Sequence, residues 1–174
     1  MMPAVSIVYI IGFMGSGKST VGKKIAGNLK WHFVDLDSKI ESFLGMSIAD
    51  VFQQKGEDYF RAVESQVLRE LKPEKETIIS TGGGTPCSGS NMEYMLETGL
   101  TIYLKLTPEQ LAARLSSSGG KRPLINNIKP DELPDFIAMK LAEREKWYNR
   151  SDLVVDGCVI DYQILISLIK NRFQ

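Results

Sequence analysis

Val5-Ser-Ile-Val-Tyr-Ile-Ile11 is an almost unbroken apolar run rich in β-branched residues, the pattern of a strand covered on both faces in a parallel sheet. Glycines end it at once. From Lys18 to Leu29 the period lengthens, with Val21, Ile25 and Leu29 at every fourth position marking one face of a helix. His32–Asp35 then predicts a second strand. Ser47 with Asp50 three residues on gives a capping-box-like helix start, and Phe60, Val63, Val67 and Leu71 stripe the next helix. Thr77–Thr81 predicts a third strand, stopped by Gly82-Gly83-Gly84. A short helix from Met92 to Glu97 and a strand from Thr101 to Leu106 follow. Thr107-Pro-Glu-Gln110 combines an N-cap, a proline at the first helical position and a glutamine three residues on. The pattern fails between Ser116 and Lys129, where serines, glycines, Lys121, Arg122 and Pro123 predict a long loop of the kind that serves as a lid. A helix from about Asp131 to Tyr148, a strand at Leu153–Val155 and a last helix through Ile164, Leu165, Leu168, Ile169 and Phe173 complete the series. Strand and helix alternating in this way predict an α/β domain with a largely parallel sheet.

The chain has 174 residues, 43% of them hydrophobic and 24% charged, which suits one compact domain with a sizeable core. Its 21 basic and 21 acidic residues cancel, so a partner held by bulk counterion release, such as duplex DNA or an anionic membrane surface, is not expected. Any anion must meet locally gathered positive charge. The apolar stretch from Val5 to Met14 is far shorter than the roughly 20 residues of a spanning helix, and no basic n-region precedes it to make a signal peptide. Cys87 and Cys158 stand apart from any metal-ligand spacing, as reduced thiols of a cytoplasmic protein would.

Gly12-Phe-Met-Gly15-Ser16-Gly17-Lys18-Ser19 fits the pattern G-x-x-x-x-G-K-S/T and lies between a buried strand and an amphipathic helix, where a phosphate loop belongs. Glycines let backbone N–H groups turn inward around phosphates. Lys18 is placed to reach the β and γ oxygens and Ser19 to ligate Mg²⁺, while the helix N-terminus adds its partial positive charge. The competing account is a glycine-rich turn without a ligand, which the flanking elements disfavour.

Asp35-Leu36-Asp37 closes the second strand at the carboxyl edge, where open α/β sheets bind ligands. Period-two alternation would send both carboxylates to one side. One would serve the metal's water shell and the other would accept a hydrogen bond from an acceptor hydroxyl, unless Asp37 merely caps the helix that begins at Ser38. Arg61 and Glu64 read at their plainest as a surface i,i+3 ion pair. Arg144 occupies a stripe position with Ile137, Leu141 and Tyr148, so its guanidinium must find an anion or snorkel past its neighbours. Together Arg61 and Arg144 could clamp a carboxylate. Arg122 lies in the expected lid, either as a solvated charge or as a group that swings onto phosphate.

The ordered set GFMGSGKST at 12–20, DLD at 35–37, FRAVE at 60–64, TGGG at 81–84, RPL at 122–124 and REKWY at 144–148 resembles the shikimate kinase family over nearly the whole chain. The resemblance implies a three-layer P-loop NTPase-type domain, with a five-stranded parallel sheet flanked by helices and a mobile lid at about 116–129. It also implies ATP-dependent phosphorylation of the 3-hydroxyl of shikimate in aromatic amino-acid biosynthesis, with ATP and shikimate as small-molecule partners and a monomeric enzyme. Carried over by motif, Gly15, Ser16, Gly17, Lys18, Ser19 and Thr20 bind the phosphates of ATP. Arg114 lies against adenine and Arg122 contacts phosphate. Ser19 and Asp35 serve Mg²⁺, while Asp37, Arg61, Gly83, Gly84 and Arg144 bind shikimate. Lys18, Asp37 and Arg122 are the residues that touch the transfer itself.

The chain departs from the family at Phe13, where many members have proline, and in a slightly longer spacing from Arg114 to Arg122. Asp156-Gly-Cys-Val also replaces the usual adenine loop. Two other functions compete with this one: a related kinase acting on another hydroxy acid such as gluconate, and a kinase-like protein that binds nucleotide without catalysis. DLD followed by FRxxE speaks against the first. The joint presence of Lys18, Asp37, Arg61 and Arg144 speaks against the second.

Overall fold

In the computed structural model, which describes residues 6–117, 125 and 127–173, strand β1 (Ile7–Ile11) runs through the middle of the sheet. Val8 and Ile10 face one core and Tyr9 and Ile11 the other, all four buried, which is why the run reads as continuously apolar. With β2 (His32–Asp35), β3 (Thr77–Ser80), β4 (Leu100–Lys105) and β5 (Leu153–Asp156), it forms a five-stranded parallel sheet in the order β2-β3-β1-β4-β5. The register sets Asp35 beside Ser80, Ser80 beside Ile10, and Ile11 beside Tyr103. All five strands therefore deliver their following loops to one edge, with β1 at the point where the strand order reverses.

On one face α1 (Lys18–Leu29) and α8 (Tyr162–Phe173) bury Val21, Ile25, Leu165 and Ile169 against Val8, Ile10 and Ile102. On the other face α2 (Leu36–Leu44), α3 (Ile48–Lys55), α4 (Glu57–Glu70), α5 (Asn91–Thr98), α6 (Pro108–Ser117) and α7 (Leu133–Tyr148) cover Tyr9, Ile11 and Tyr103. The expected three layers are thus present. Ser47 caps α3 by accepting from the Asp50 N–H at 3.1 Å, and Thr107 and Gln110 close a reciprocal capping box at the start of α6.

Two local expectations are corrected, and one element was not foreseen. The second strand ends at Asp35, and Leu36 and Asp37 already belong to the first turn of α2, so strand alternation does not govern Asp37. The cap of α2 is Asp35, whose Oδ1 accepts from the Ser38 N–H at 3.3 Å, and not Asp37. After the glycine run, Thr85–Cys87 makes one turn of 3₁₀ helix that its short apolar content did not announce. Of the lid expected over 116–129, residues 116 and 117 end α6, whereas 118–124 and 126 lie outside the described residues.

Candidate active site

The loop from Gly12 to Lys18 leaves β1 with Gly12, Gly15 and Gly17 at positive φ. At Gly12 the constraint is steric as well: a Cβ there would stand 2.8 Å from the Leu104 carbonyl oxygen. Gly17 is the N-cap of α1 and offers no side-chain cap, so the first N–H groups of that helix are available to an anion. Inside the loop the buried Ser16 Oγ has no hydrogen-bond partner among the described residues. Lys18 Nζ donates to the carbonyls of Gly12 at 2.9 Å and Phe13 at 2.8 Å.

Below the lysine the Ser19 hydroxyl donates to Asp35 Oδ2 at 2.7 Å and lies 3.1 Å from Ser80 Oγ. These are oxygen donors only, of the kind hard divalent cations prefer. The Ser80 hydroxyl was not foreseen; a polar residue ending an otherwise apolar strand beside the phosphate loop was its signal. Asp37 comes near this group from α2. Its pKa is pushed up to about 6, chiefly by burial and then by the charges of Asp35 and Glu64, with Lys18 pulling the other way.

A cleft of ≈490 Å³ gathers Gly15, Gly17, Lys18, Ser19, Thr20, Asp35, Asp37, Gly83 and Arg114. Arg114 reaches it from α6, donating through Nη1 to the Ser16 carbonyl at 2.9 Å and through Nη2 to the Gly157 carbonyl at 3.0 Å. It therefore ties the phosphate loop to the segment after β5. Arg122 lies outside the described residues.

On the other side of the glycine run, Arg61, Gly84, Cys87, Arg144 and Trp147 line a second cavity of ≈490 Å³. The expected pair of arginines is thus brought to one cavity. The expected surface ion pair is not what forms, however. Arg61 Nη1 meets Glu64 Oε2 at 2.8 Å with the glutamate side chain 0% exposed, and Glu64 Oε1 accepts from Thr85 Oγ1 at 2.6 Å. On its outer side Arg61 pairs with Glu57 at 3.2 Å. Gly84 leaves room for the Arg61 guanidinium, which a Cβ there would push out of its present place. The Glu64 position was legible in retrospect: it sits between Phe60 and Val67 on the buried stripe, where a carboxylate requires partners. A larger groove of ≈580 Å³ lies between α6, α7 and β5, but it is mainly apolar and includes none of these residues.

A family model described as shikimate kinase matches residues 14–161. The chain belongs to the shikimate kinase family. A shikimate kinase of Azobacteroides pseudotrichonymphae is 43% identical over 148 residues, covering 84% of this chain and 87% of that one. Among solved structures, shikimate kinase from Bacteroides thetaiotaomicron superposes with a TM-score of 0.85 at 34% identity, covering 97% and 96% of the two chains. Shikimate kinase from Acinetobacter baumannii in complex with shikimate gives a TM-score of 0.82 at 29% identity over 98% and 93%.

Membership of the shikimate kinase family makes the chain's own substitutions informative. Phe13, where many members carry proline, is buried and sets its ring 5.2 Å below the Arg144 guanidinium, so the residue supports the second arginine from within the phosphate loop. In place of the usual adenine loop, Asp156 Oδ1 accepts from the Cys158 N–H at 2.8 Å, making a tight turn whose Gly157 carbonyl is taken by Arg114.

Proposed function

We propose that this chain transfers the γ-phosphoryl group of ATP to the 3-hydroxyl of shikimate, giving shikimate 3-phosphate and ADP. The observation that carries this reading is the pair of cavities on either side of the Gly83–Gly84 peptide, Gly83 lining the one that holds the phosphate loop and Gly84 the one that holds Arg61 and Arg144. A carboxylate held by the arginines leaves the hydroxyls of the same small ring to face the phosphate side.

Lys18, the amides of Gly15 to Thr20 and the unpartnered Ser16 hydroxyl cradle the phosphates. The oxygen cluster around Ser19 fits Mg²⁺: Ser19 and Asp35 would hold it, and when bound it would neutralise charge on the β and γ oxygens. Phosphoryl transfer runs through a loose transition state, so positioning and electrostatics outweigh covalent participation by the protein. Lys18 moves from its own loop carbonyls to the developing charge, and Arg122 serves as the second cation for the transferring phosphoryl group. Asp37, with its pKa near 6, is ionised at neutral pH yet basic enough to orient the acceptor hydroxyl and take its proton late. Arg114 lies against adenine. The reading makes the enzyme a cytoplasmic monomer whose partners are ATP and shikimate, without nucleic acid or membrane. Among the described residues no helix is long and apolar enough to cross a membrane.

A coupled ADP-release assay with shikimate, gluconate and nucleoside monophosphates tests this. Turnover with shikimate alone is expected. Folded protein that binds ATP but releases no ADP with shikimate overturns the proposal, and turnover with gluconate instead reassigns the acceptor.

A further inference from the structure

Tyr148 closes α7 one turn after Arg144, and no exposed surface remains on it. Its hydroxyl donates to the Gly83 carbonyl at 2.5 Å, a contact between segments 65 residues apart. Burial pushes the phenol's pKa upward, which keeps the group a donor throughout any working pH. The carbonyl it holds belongs to the peptide unit that joins Gly83 to Gly84. In a trans peptide the C=O and the following N–H point in opposite directions within one rigid plane. Fixing the Gly83 oxygen therefore fixes the direction of the Gly84 N–H. Among the described residues no group accepts from that N–H. The Thr85 N–H closes a turn on the Gly82 carbonyl around this peptide, and with glycine on both sides the central peptide of such a turn could take either orientation; the Tyr148 bond selects one.

A second contact involves the arginine. Arg144 Nη1 lies 3.4 Å from where a Gly83 Cβ would stand, and the Tyr148 hydroxyl also interacts with the Arg144 side chain, so the tyrosine couples this arginine to the glycine run. We infer that Tyr148 is a positioning residue for the acceptor: it orients the Gly83–Gly84 peptide so that the Gly84 N–H is presented to shikimate in register with Arg144. The inference rests on the shikimate reading. It concerns a residue that touches neither substrate.

Tyr103 supplies an internal control. Its ring packs on Tyr148 at 5.0 Å between centroids, and its buried hydroxyl has no hydrogen-bond partner among the described residues. Tyr148→Phe and Tyr103→Phe thus each remove one buried hydroxyl from the same aromatic pair, and only the first removes a bond to the acceptor-binding peptide.

Wild-type turnover of shikimate is measured first, so that a silent wild type counts against the kinase reading and not against this one. Tyr148→Phe is then expected to raise the KM for shikimate about tenfold, as one lost buried hydrogen bond would, with the KM for ATP within about twofold of wild type. Tyr103→Phe is expected to leave both values unchanged. A purely structural role would move the two KM values together or shift only the melting temperature. An unchanged KM for shikimate in folded Tyr148→Phe, or equal rises for both substrates, overturns the inference. If Tyr148→Phe fails to fold, glycine-labelled wild-type protein decides the question by NMR: added shikimate must shift the Gly84 amide resonance and slow its exchange, and an unmoved Gly84 amide overturns the inference.

Discussion

Removing Arg61 and removing Arg144 should damage the protein in different ways, although both arginines line one cavity. Arg61→Ala takes the ion-pair partner from Glu64, a carboxylate with 0% side-chain exposure that, among the described residues, then keeps only the Thr85 hydroxyl as donor. Breaking a buried pair from one side costs about 3–5 kcal/mol. The lower end applies here, since Arg61 itself is 19% exposed and Thr85 still satisfies one oxygen. At about 2–4 °C per kcal/mol for a chain of this size, Tm should fall by about 6–12 °C. Arg144→Ala breaks no buried ion pair with a carboxylate among the described residues and loses its contacts with the Phe13 ring and the Tyr148 hydroxyl, so its Tm should fall by only about 2–4 °C. If both arginines bind the acceptor carboxylate as proposed, each variant loses charge-assisted bonds and should raise the KM for shikimate by about 10- to 150-fold. The decisive variant is Arg61→Ala combined with Glu64→Gln, which removes the stranded charge while keeping an acceptor for Thr85. It should recover at least half of the lost Tm and leave the KM as high as in Arg61→Ala. Differential scanning fluorimetry and initial rates read both quantities. Arg61→Ala melting within about 2 °C of wild type, less than the effect of 1 kcal/mol, or no recovery of Tm in the double variant, would refute the reasoning.

With the Asp37 pKa raised to about 6, the acid limb of kcat/KM should fall below that pH, and Asp37→Asn should abolish the limb and lower kcat by about 10²- to 10⁴-fold. The sign for stability is opposite. A carboxyl raised from 3.8 to about 6 by folding weakens the fold as pH rises through that range, so Asp37→Asn should raise Tm at pH 8 and have little effect at pH 3.5; a Tm gain that is equal at both pH values would contradict this. Gly84→Ala should displace the Arg61 guanidinium and so raise the KM for shikimate while leaving that for ATP unchanged; an unchanged KM for shikimate, or equal rises for both substrates, would contradict this. Lys18→Ala should remove measurable turnover while the protein still melts cooperatively, and residual rates above about 1% of wild type would argue against its place at the transferring group.

Much of the fold was legible because local pattern and tertiary role agree. The buried run of β1, the fourth-position stripe of α1 and the capping boxes at Ser47 and Thr107 each answer to contacts within a few residues. Asp37 misleads a reading by alternation because two adjacent elements compete for it: the strand stops at Asp35, whose cap on Ser38 turns the chain into helix before Asp37 is reached. Asp37 nevertheless lines the same cleft as Asp35, because the first turn of α2 returns it there. Arg144 was found as a charge on an apolar stripe, and Arg61 as its possible partner in a carboxylate clamp. What pairing alone could not reveal was that Glu64 is fully buried, because a surface and an interior i,i+3 pair have the same spacing in sequence. Ser80, Thr85 and the Tyr148 hydroxyl escaped for a related reason. Their partners are distant along the chain, and only the parallel register and the packing of α7 bring them to Ser19, Glu64 and Gly83.

The most direct test compares kcat/KM for shikimate with that for its methyl ester, with ATP saturating. The ester keeps the ring and every hydroxyl and removes the one negative charge that Arg61 and Arg144 are placed to read. The account predicts rapid ADP release with shikimate and a drop of at least about 100-fold with the ester, the loss of charge-assisted bonds to two guanidinium groups. Equal values for the two compounds, or no turnover of either by protein that binds ATP, would contradict it.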